Sequence, residues 1–320
     1  MTTTQRVPHP DMKVLTEAQK VAYGGTTIAE QRAAWTAYTS RLAPPRPAGM
    51  IVRDAFIPTQ DCEVPVRIYR PADSPEALPC IIYMHGGGFM KGDLDSSDPI
   101  AWGFTQETGA VTISVDYRLT PEFPYPAAFN DCYGVLTYVA GNAREFGINP
   151  MRIGLAGDSA GGHLAASLCL AARDRKGPRI SAQAIIYTVI GTDMTAASYV
   201  ENAEGYGLTT AACHNYMKLL LPDPAMASDP YARPAVATDF SGLPPAYVVS
   251  AELDPVRDDG RIYAAKLAMA GIDVTYREAR SMIHGFMRAR FTGPAARAEY
   301  ERICAFLAQH LRSATQRVTS

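Results

Sequence analysis

The apolar positions of this chain follow two rhythms. From residue 80 onward, short mostly apolar runs at 80–84, 111–115, 153–156, 182–187 and 246–251, and a more polar one at 274–278, alternate with helix-compatible stretches near 98–108, 127–141, 160–173, 257–270 and 294–311. A strand without polar alternation is buried on both faces, and strands separated by helices pair in parallel. The alternation therefore predicts an α/β protein with a mostly parallel sheet covered on both sides. Ahead of it, the runs 51–57 and 64–69 flank Thr59-Gln60-Asp61 and predict an antiparallel pair at a sheet edge. Residues 11–43 read as helical: Val14, Leu15, Ala18, Val21 and Ala22 keep helical spacing, which Ile28, Ala33, Ala34, Trp35 and Tyr38 resume after Gly24-Gly25. Pro44-Pro45-Arg46-Pro47 closes that region.

The stretch 190–240 breaks the rhythm. It carries Met194, Tyr199, Tyr206, Leu208, Tyr216 and Met217 among many prolines, without strand periodicity. A helical insertion above the carboxyl ends of the strands would give these large side chains a place. The expected division is a helical cap segment at 1–50, a catalytic core at 51–189 and 241–320, and a cap insertion at 190–240.

Composition changes this picture little. With 47% hydrophobic and 19% charged residues, 320 residues can bury a sizeable globular core. A net charge of −2 gives no reason to expect nucleic acid or an anionic membrane as partner. The six cysteines show no metal-like spacing, and Cys80, Cys169 and Cys304 sit in apolar runs, so free buried thiols are expected, with no metal and no cofactor. No signal-like apolar core opens the sequence and no run is long enough to span a bilayer, which leads to the expectation of a cytoplasmic protein.

The chemistry gathers around Gly157-Asp158-Ser159-Ala160-Gly161, which follows the run 153–156 and precedes a helix-compatible stretch. Strand, tight turn and helix in that order are the context in which G-x-S-x-G holds an exposed serine. The glycines permit the close backbone approach such a turn needs, and the helix N-terminus favours developing negative charge. A structural Gly-rich turn is the competing reading. A serine hydroxyl needs a base, an orienting acid and donors for an oxyanion. His284, in a loop after the last expected strand, is the candidate base. Asp254, just past the run 246–251, is the candidate orienting acid, with Glu252, Asp258 and Asp259 as rivals. His85-Gly86-Gly87-Gly88-Phe89 follows an expected strand, and its N–H groups, with that of Ala160, offer an oxyanion hole. The alternative of a phosphate-cradling turn would need G-x-G-x-x-G, which this loop lacks. His85 reads as a brace for its own loop, and His163, one helical turn beyond Ser159, as a group beneath the nucleophile.

These motifs, together with Asp116-Tyr117-Arg118-Leu119-Thr120-Pro121-Glu122, Asp254-Pro255-Val256-Arg257 and His284-Gly285-Phe286, resemble those of the hormone-sensitive-lipase-like, or family IV, bacterial carboxylesterases, over about residues 50–310. The resemblance implies an α/β-hydrolase fold with eight strands and a helical cap. It also implies cofactor-free hydrolysis of short- to medium-chain acyl esters and dimers formed through the last strand and its helix. It assigns Ser159 as nucleophile, Asp254 and His284 as its partners, and Gly86, Gly87 and Ala160 as oxyanion donors; Arg118 and Glu122 read as loop ties. Lactones, aryl esters or acetyl amides are alternative substrates for the same groups. A non-catalytic small-molecule binder of this fold, as in the plant gibberellin receptors, is disfavoured because His284 is present. Thr120, His163 and Thr188 depart from the pattern, and Thr188 is expected to alter the cap entrance.

Overall fold

The computed structural model describes residues 6–20, 24–74 and 77–312. In chain order, helices α1 (Lys13–Gln19) and α2 (Ile28–Ser40) precede the antiparallel strands β1 (Met50–Pro58) and β2 (Glu63–Pro71). Then come β3 (Leu78–Met84), α3 (Leu94–Thr108), β4 (Val111–Val115), α4 (Ala127–Gly141), β5 (Ile148–Asp158), α5 (Ala160–Asp174) and β6 (Ile180–Ile186). The short α6 (Ser198–Glu201) and α7 (Thr210–Leu220) follow, before β7 (Ala246–Leu253), α8 (Arg257–Met269), β8 (Val274–Ile283) and α9 (Pro294–Leu311). The strands form one eight-stranded sheet in the order β1-β2-β4-β3-β5-β6-β7-β8. β1–β2 and β2–β4 pair antiparallel and every other neighbour pairs parallel, so the expected antiparallel hairpin does occupy the edge.

Side chains alternate across a strand, and this sheet uses both faces. Cys80, Ile82, Ile113, Leu155 and Val248 pack against α4, α5 and α8, whereas Ile81, Tyr83, Ala156, Ile186 and Val249 pack against α3 and α9. The nine apolar or small residues of α5 from Leu164 to Ala172 are all buried, because that helix is covered by the sheet on one side and by α4 and the 190–240 segment on others.

Several boundaries differ from the sequence reading, among them the start of β5 at Ile148, ahead of the expected 153. The helical region 11–43 is two helices; Val21 and Ala22, expected to extend the first, lie outside the described residues, as do 313–320 of the expected core. α3 begins at Leu94 and not near 98, because Asp93 accepts from Ser96 N at 2.7 Å while Ser96 Oγ accepts from Asp93 N at 2.9 Å, a reciprocal cap ahead of Pro99. β8 runs to Ile283, five residues past its expected end. The Glu252 carboxylate accepts from Ser281 N at 2.7 Å and so carries the pairing through an irregularity in β7–β8.

The segment 190–240 is helical and turn-rich, with no strand among its residues. It lies against the N-terminal segment: Arg6 donates to Asn202 Oδ1 at 2.8 Å, and Tyr206 donates to the Arg6 carbonyl at 3.2 Å. The described cysteines are free, and five of them are buried. Among the described residues no helix is long and apolar enough to cross a membrane.

Candidate active site

Strand ends assemble the site. Ser159 directly follows β5 with φ 55° and ψ −120°, a left-handed backbone for a non-glycine residue. The turn is held from several sides: Ser159 N donates to Ile186 O at 2.9 Å, and Thr188 Oγ1 donates to Ser159 O at 2.6 Å. Its tightness excludes side chains at both flanking glycines. A Cβ on Gly157 would strike the Gly161 carbonyl, and one on Gly161 would strike the Met84 carbonyl.

Two strands away, the parallel register pairs Leu253 of β7 with Ile283 of β8. The next residue on each chain is therefore Asp254 and His284, which emerge side by side. His284 Nδ1 lies 2.7 Å from Asp254 Oδ2, and His284 Nε2 lies 2.8 Å from Ser159 Oγ. Asp254 is fully buried, and its other oxygen accepts from Val256 N at 3.1 Å. The carboxylate is thus fixed, and with Nδ1–H facing it, the neutral imidazole presents Nε2 to the serine as an acceptor.

The rival carboxylates are engaged elsewhere. Glu252 accepts from Ser281 N and Arg6, and Asp258 accepts from Ser198 N and Arg257. Asp259 accepts from Ile190 N, Thr192 Oγ1 and Tyr199 OH. Burial raises the Asp259 carboxyl to about 6 in spite of those donors.

The Gly-rich loop differs from expectation at one position. Gly86 N donates to Asp158 Oδ1 at 3.0 Å, so its N–H is spent on that buried carboxylate and is not available to an oxyanion. Asp158 also accepts from Tyr83 OH at 2.6 Å and Tyr187 OH at 3.3 Å. Burial first, and then the Asp158 charge, push both phenols far above their usual range, which keeps them protonated as donors. Among the described residues the N–H groups of Gly87 and Gly88 have no acceptor, and Ala160 N opens α5, where N–H groups lack an intrahelical partner. Sequence reasoning missed Gly88. The signal was available: an aspartate buried beside the serine needs donors, and the nearest glycine N–H supplies one.

The other expected site residues fall into place around this frame. His85 stacks on Tyr117 at 4.3 Å, and Tyr117 OH donates to the His85 carbonyl at 2.6 Å, a bracing role. His163 faces two carbonyls, Val189 O at 3.1 Å and Ala232 O at 3.0 Å, and burial lowers its pKa to about 4, so it is a neutral structural group. Arg118 ties Asp131 and Asp61, and Glu122 pairs with Arg32 at 2.7 Å. Thr188 holds the Ser159 carbonyl from behind and lines neither cavity beside the serine, which corrects the expected role at the entrance.

Two cavities meet at Gly88, Ser159, Leu208, Tyr216 and His284, and each leaves about 30 Å³ for the centres of water-sized groups. One is apolar, closed by Phe89, Val189, Cys213, Met217 and Val256; the other is lined by Gln19, Trp35, Tyr38, Lys91 and Arg288. Of the large apolar residues near the site, Trp35, Leu208 and Met217 line these cavities, while Met12, Met90, Tyr206 and Met282 are packed in the interior. Among the described residues no group of three or more His, Cys, Asp or Glu is arranged to hold a metal ion.

Comparison with known proteins bears on the fold and the kind of activity. A family model described as alpha/beta hydrolase fold matches residues 81–288. The chain is 38% identical to carboxylesterase NlhH of Mycobacterium tuberculosis over 237 residues, 73% of this chain and 74% of that one. It is also 38% identical to esterase LipI of the same organism, covering 72% of this chain and 73% of the relative. The structure of a thermostable esterase from Pseudomonas putida ECU1011 superposes with a TM-score of 0.90 at 29% identity, covering 97% of this chain and 100% of that one. Fold, strand-end geometry and relatives converge: the chain belongs to the hormone-sensitive-lipase-like family of α/β-hydrolases and is a carboxylic ester hydrolase.

Proposed function

We propose that the protein hydrolyses short-chain acyl esters through an acyl-enzyme on Ser159, with His284 as general base and acid and Asp254 as its orienting carboxylate. The observation that carries this reading is the continuous chain Ser159 Oγ–His284–Asp254 at 2.8 and 2.7 Å. Ser159 Oγ attacks the ester carbonyl carbon while its proton passes to His284 Nε2, and Asp254 steadies the resulting imidazolium. The carbonyl oxygen becomes an alkoxide, for which Gly87 N, Gly88 N and Ala160 N are the assigned donors, each such bond contributing about 3–4 kcal/mol to the transition state. The intermediate expels the alcohol as an alkoxide that takes the proton from His284. Water then repeats the sequence on the acyl-enzyme, releasing the carboxylic acid and restoring the serine. Because the base acts unprotonated, kcat/KM falls on acidification.

The size of the cavities favours the short end of the expected acyl range: about 30 Å³ on each side corresponds to roughly two or three water-sized groups. Residues 1–50 and 190–240 serve in this reading as a cap over the strand ends, the enzyme works in the cytoplasm, and dimers pair through β8. Hydrolysis of a p-nitrophenyl ester series from acetyl to dodecanoyl tests the reading. Turnover is expected to be greatest for acetyl to butyryl and abolished in Ser159→Ala. Absence of turnover in the folded wild type, or its survival in the mutant, would overturn it.

A further inference from the structure

The two cavities beside Ser159 differ in charge. Among the described residues the apolar one is lined by no ionisable side chain other than Cys213, Tyr216 and the shared His284, whereas its neighbour is lined by the ammonium of Lys91 and the guanidinium of Arg288. Lys91 is 2% exposed. Its Nζ donates to Tyr216 OH at 3.0 Å and stands 5.1 Å from the centre of the Trp35 ring and 5.3 Å from that of Tyr216. Arg288 donates to Ser96 O at 2.7 Å, with its guanidinium carbon 5.4 Å from the Trp35 ring. Burial brings the Lys91 pKa down to about 8, which leaves it mainly charged near neutrality. A further donor belongs to the same wall: the buried Trp35 indole N–H has no acceptor among the described residues. The wall's carboxylate, Asp158, opposes an anion, but it already accepts from Tyr83, Tyr187 and Gly86 N.

We propose that this chamber recognises an anionic group, so that the preferred ester carries a carboxylate on the arm that enters between Lys91, Arg288 and Trp35. The other arm, short and neutral, enters the apolar cavity. The inference rests on the Ser159 reading above. It names the substrate class as carboxylated esters: half-esters of short dicarboxylic acids if the acyl arm enters the chamber, or O-acyl hydroxy acids if the alcohol arm does. Lys91 acts here as a binding residue. A purely structural lysine, clamping the loop after Gly88 to α2 and α7 through Trp35 and Tyr216, would affect charged and neutral esters alike.

Two matched pairs test it by titrating released acid: monoethyl succinate against ethyl butyrate, and O-acetylglycolate against propyl acetate. The wild type is expected to hydrolyse at least one carboxylated ester with kcat/KM no lower than its neutral partner. In Lys91→Met that charged-to-neutral ratio is expected to fall about tenfold or more, the usual weight of a charge-assisted contact. The pair that responds identifies the arm. A wild type that disfavours both carboxylated esters by more than about tenfold overturns the proposal without any variant, as does a ratio unchanged in Lys91→Met. Should Lys91→Met not fold, the wild-type ratios decide alone. Failure of the wild type on all four esters would instead remove the Ser159 reading itself.

Discussion

The carboxyl edge of the sheet and the 190–240 segment above it hold their side chains by different means. At the sheet edge, position follows from backbone register: Leu253 pairs with Ile283, so Asp254 and His284 emerge together, and Ser159 follows β5 two strands away. The segment above has no ladder to fix it. It is pinned by side chains reaching up from the core: His163 of α5 to Val189 and Ala232, Asp258 of α8 to Ser198, and Asp259 of α8 to Ile190, Thr192 and Tyr199. Register gives a geometry that strand motifs can encode, while pinning by side chains leaves room for the substrate-facing residues to vary.

The largest effect should come from the edge. His284→Ala leaves the sheet intact but removes the acceptor for the serine proton, and kcat is expected to drop by about 10⁴ or more with an unchanged melting transition. An esterase that kept its rate would break the comparison, since register would then be placing groups without function. Asp158→Ala should act on both fold and rate. It strands Gly86 N–H and the Tyr83 and Tyr187 hydroxyls in a buried site, at about 1–3 kcal/mol for each unsatisfied group. Denaturant unfolding should reveal a loss of several kcal/mol, accompanied by a fall in kcat as the loop carrying Gly87 and Gly88 relaxes. A stable, fully active variant would contradict the role given to this carboxylate.

The smallest effect concerns the pins, and it has a pH signature. His163 titrates near 4 in the folded chain and near 6.5 when unfolded, so the unfolded state binds the extra proton between those values and stability is lost as pH falls through that window. Asp259 works with the opposite sign: raised from 3.8 to about 6, it lends stability that is present at acid pH and lost as pH rises through about 6. The two largely offset one another in the wild type. His163→Asn removes one side of that balance. Its stability deficit relative to wild type should shrink by about 2 kcal/mol between about pH 7 and about pH 4.5, measured by urea unfolding. A deficit constant with pH would mean that His163 is not held neutral by burial.

The alternation of apolar runs was enough to read the parallel sheet, and the strand-turn-helix context was enough to read Ser159. Asp254 was legible because it follows a strand, although only the pairing of Leu253 with Ile283 separates it from Glu252. Gly86 was misread because three successive glycines offer equivalent N–H groups in sequence, and the acceptor that takes one of them, Asp158, lies 72 residues away. The tail of β8 was missed because Arg280 and Ser281 interrupt it with polar side chains; as an edge strand it needs burial on only part of its surface. Lys91 was passed over for the same kind of reason. In the sequence it is one cation between Met90 and Gly92, and its place beside the rings of Trp35 and Tyr216, from two distant helices, is set by the fold.

The most direct test of the central claim is to label the wild type with diethyl p-nitrophenyl phosphate and map the modified peptide by mass spectrometry. The account predicts a single diethylphosphoryl group on Ser159, esterase activity lost in proportion to labelling, and labelling slowed by orders of magnitude in His284→Ala. Activity that persists after complete labelling of Ser159, or inactivation with the label on another residue, would contradict it.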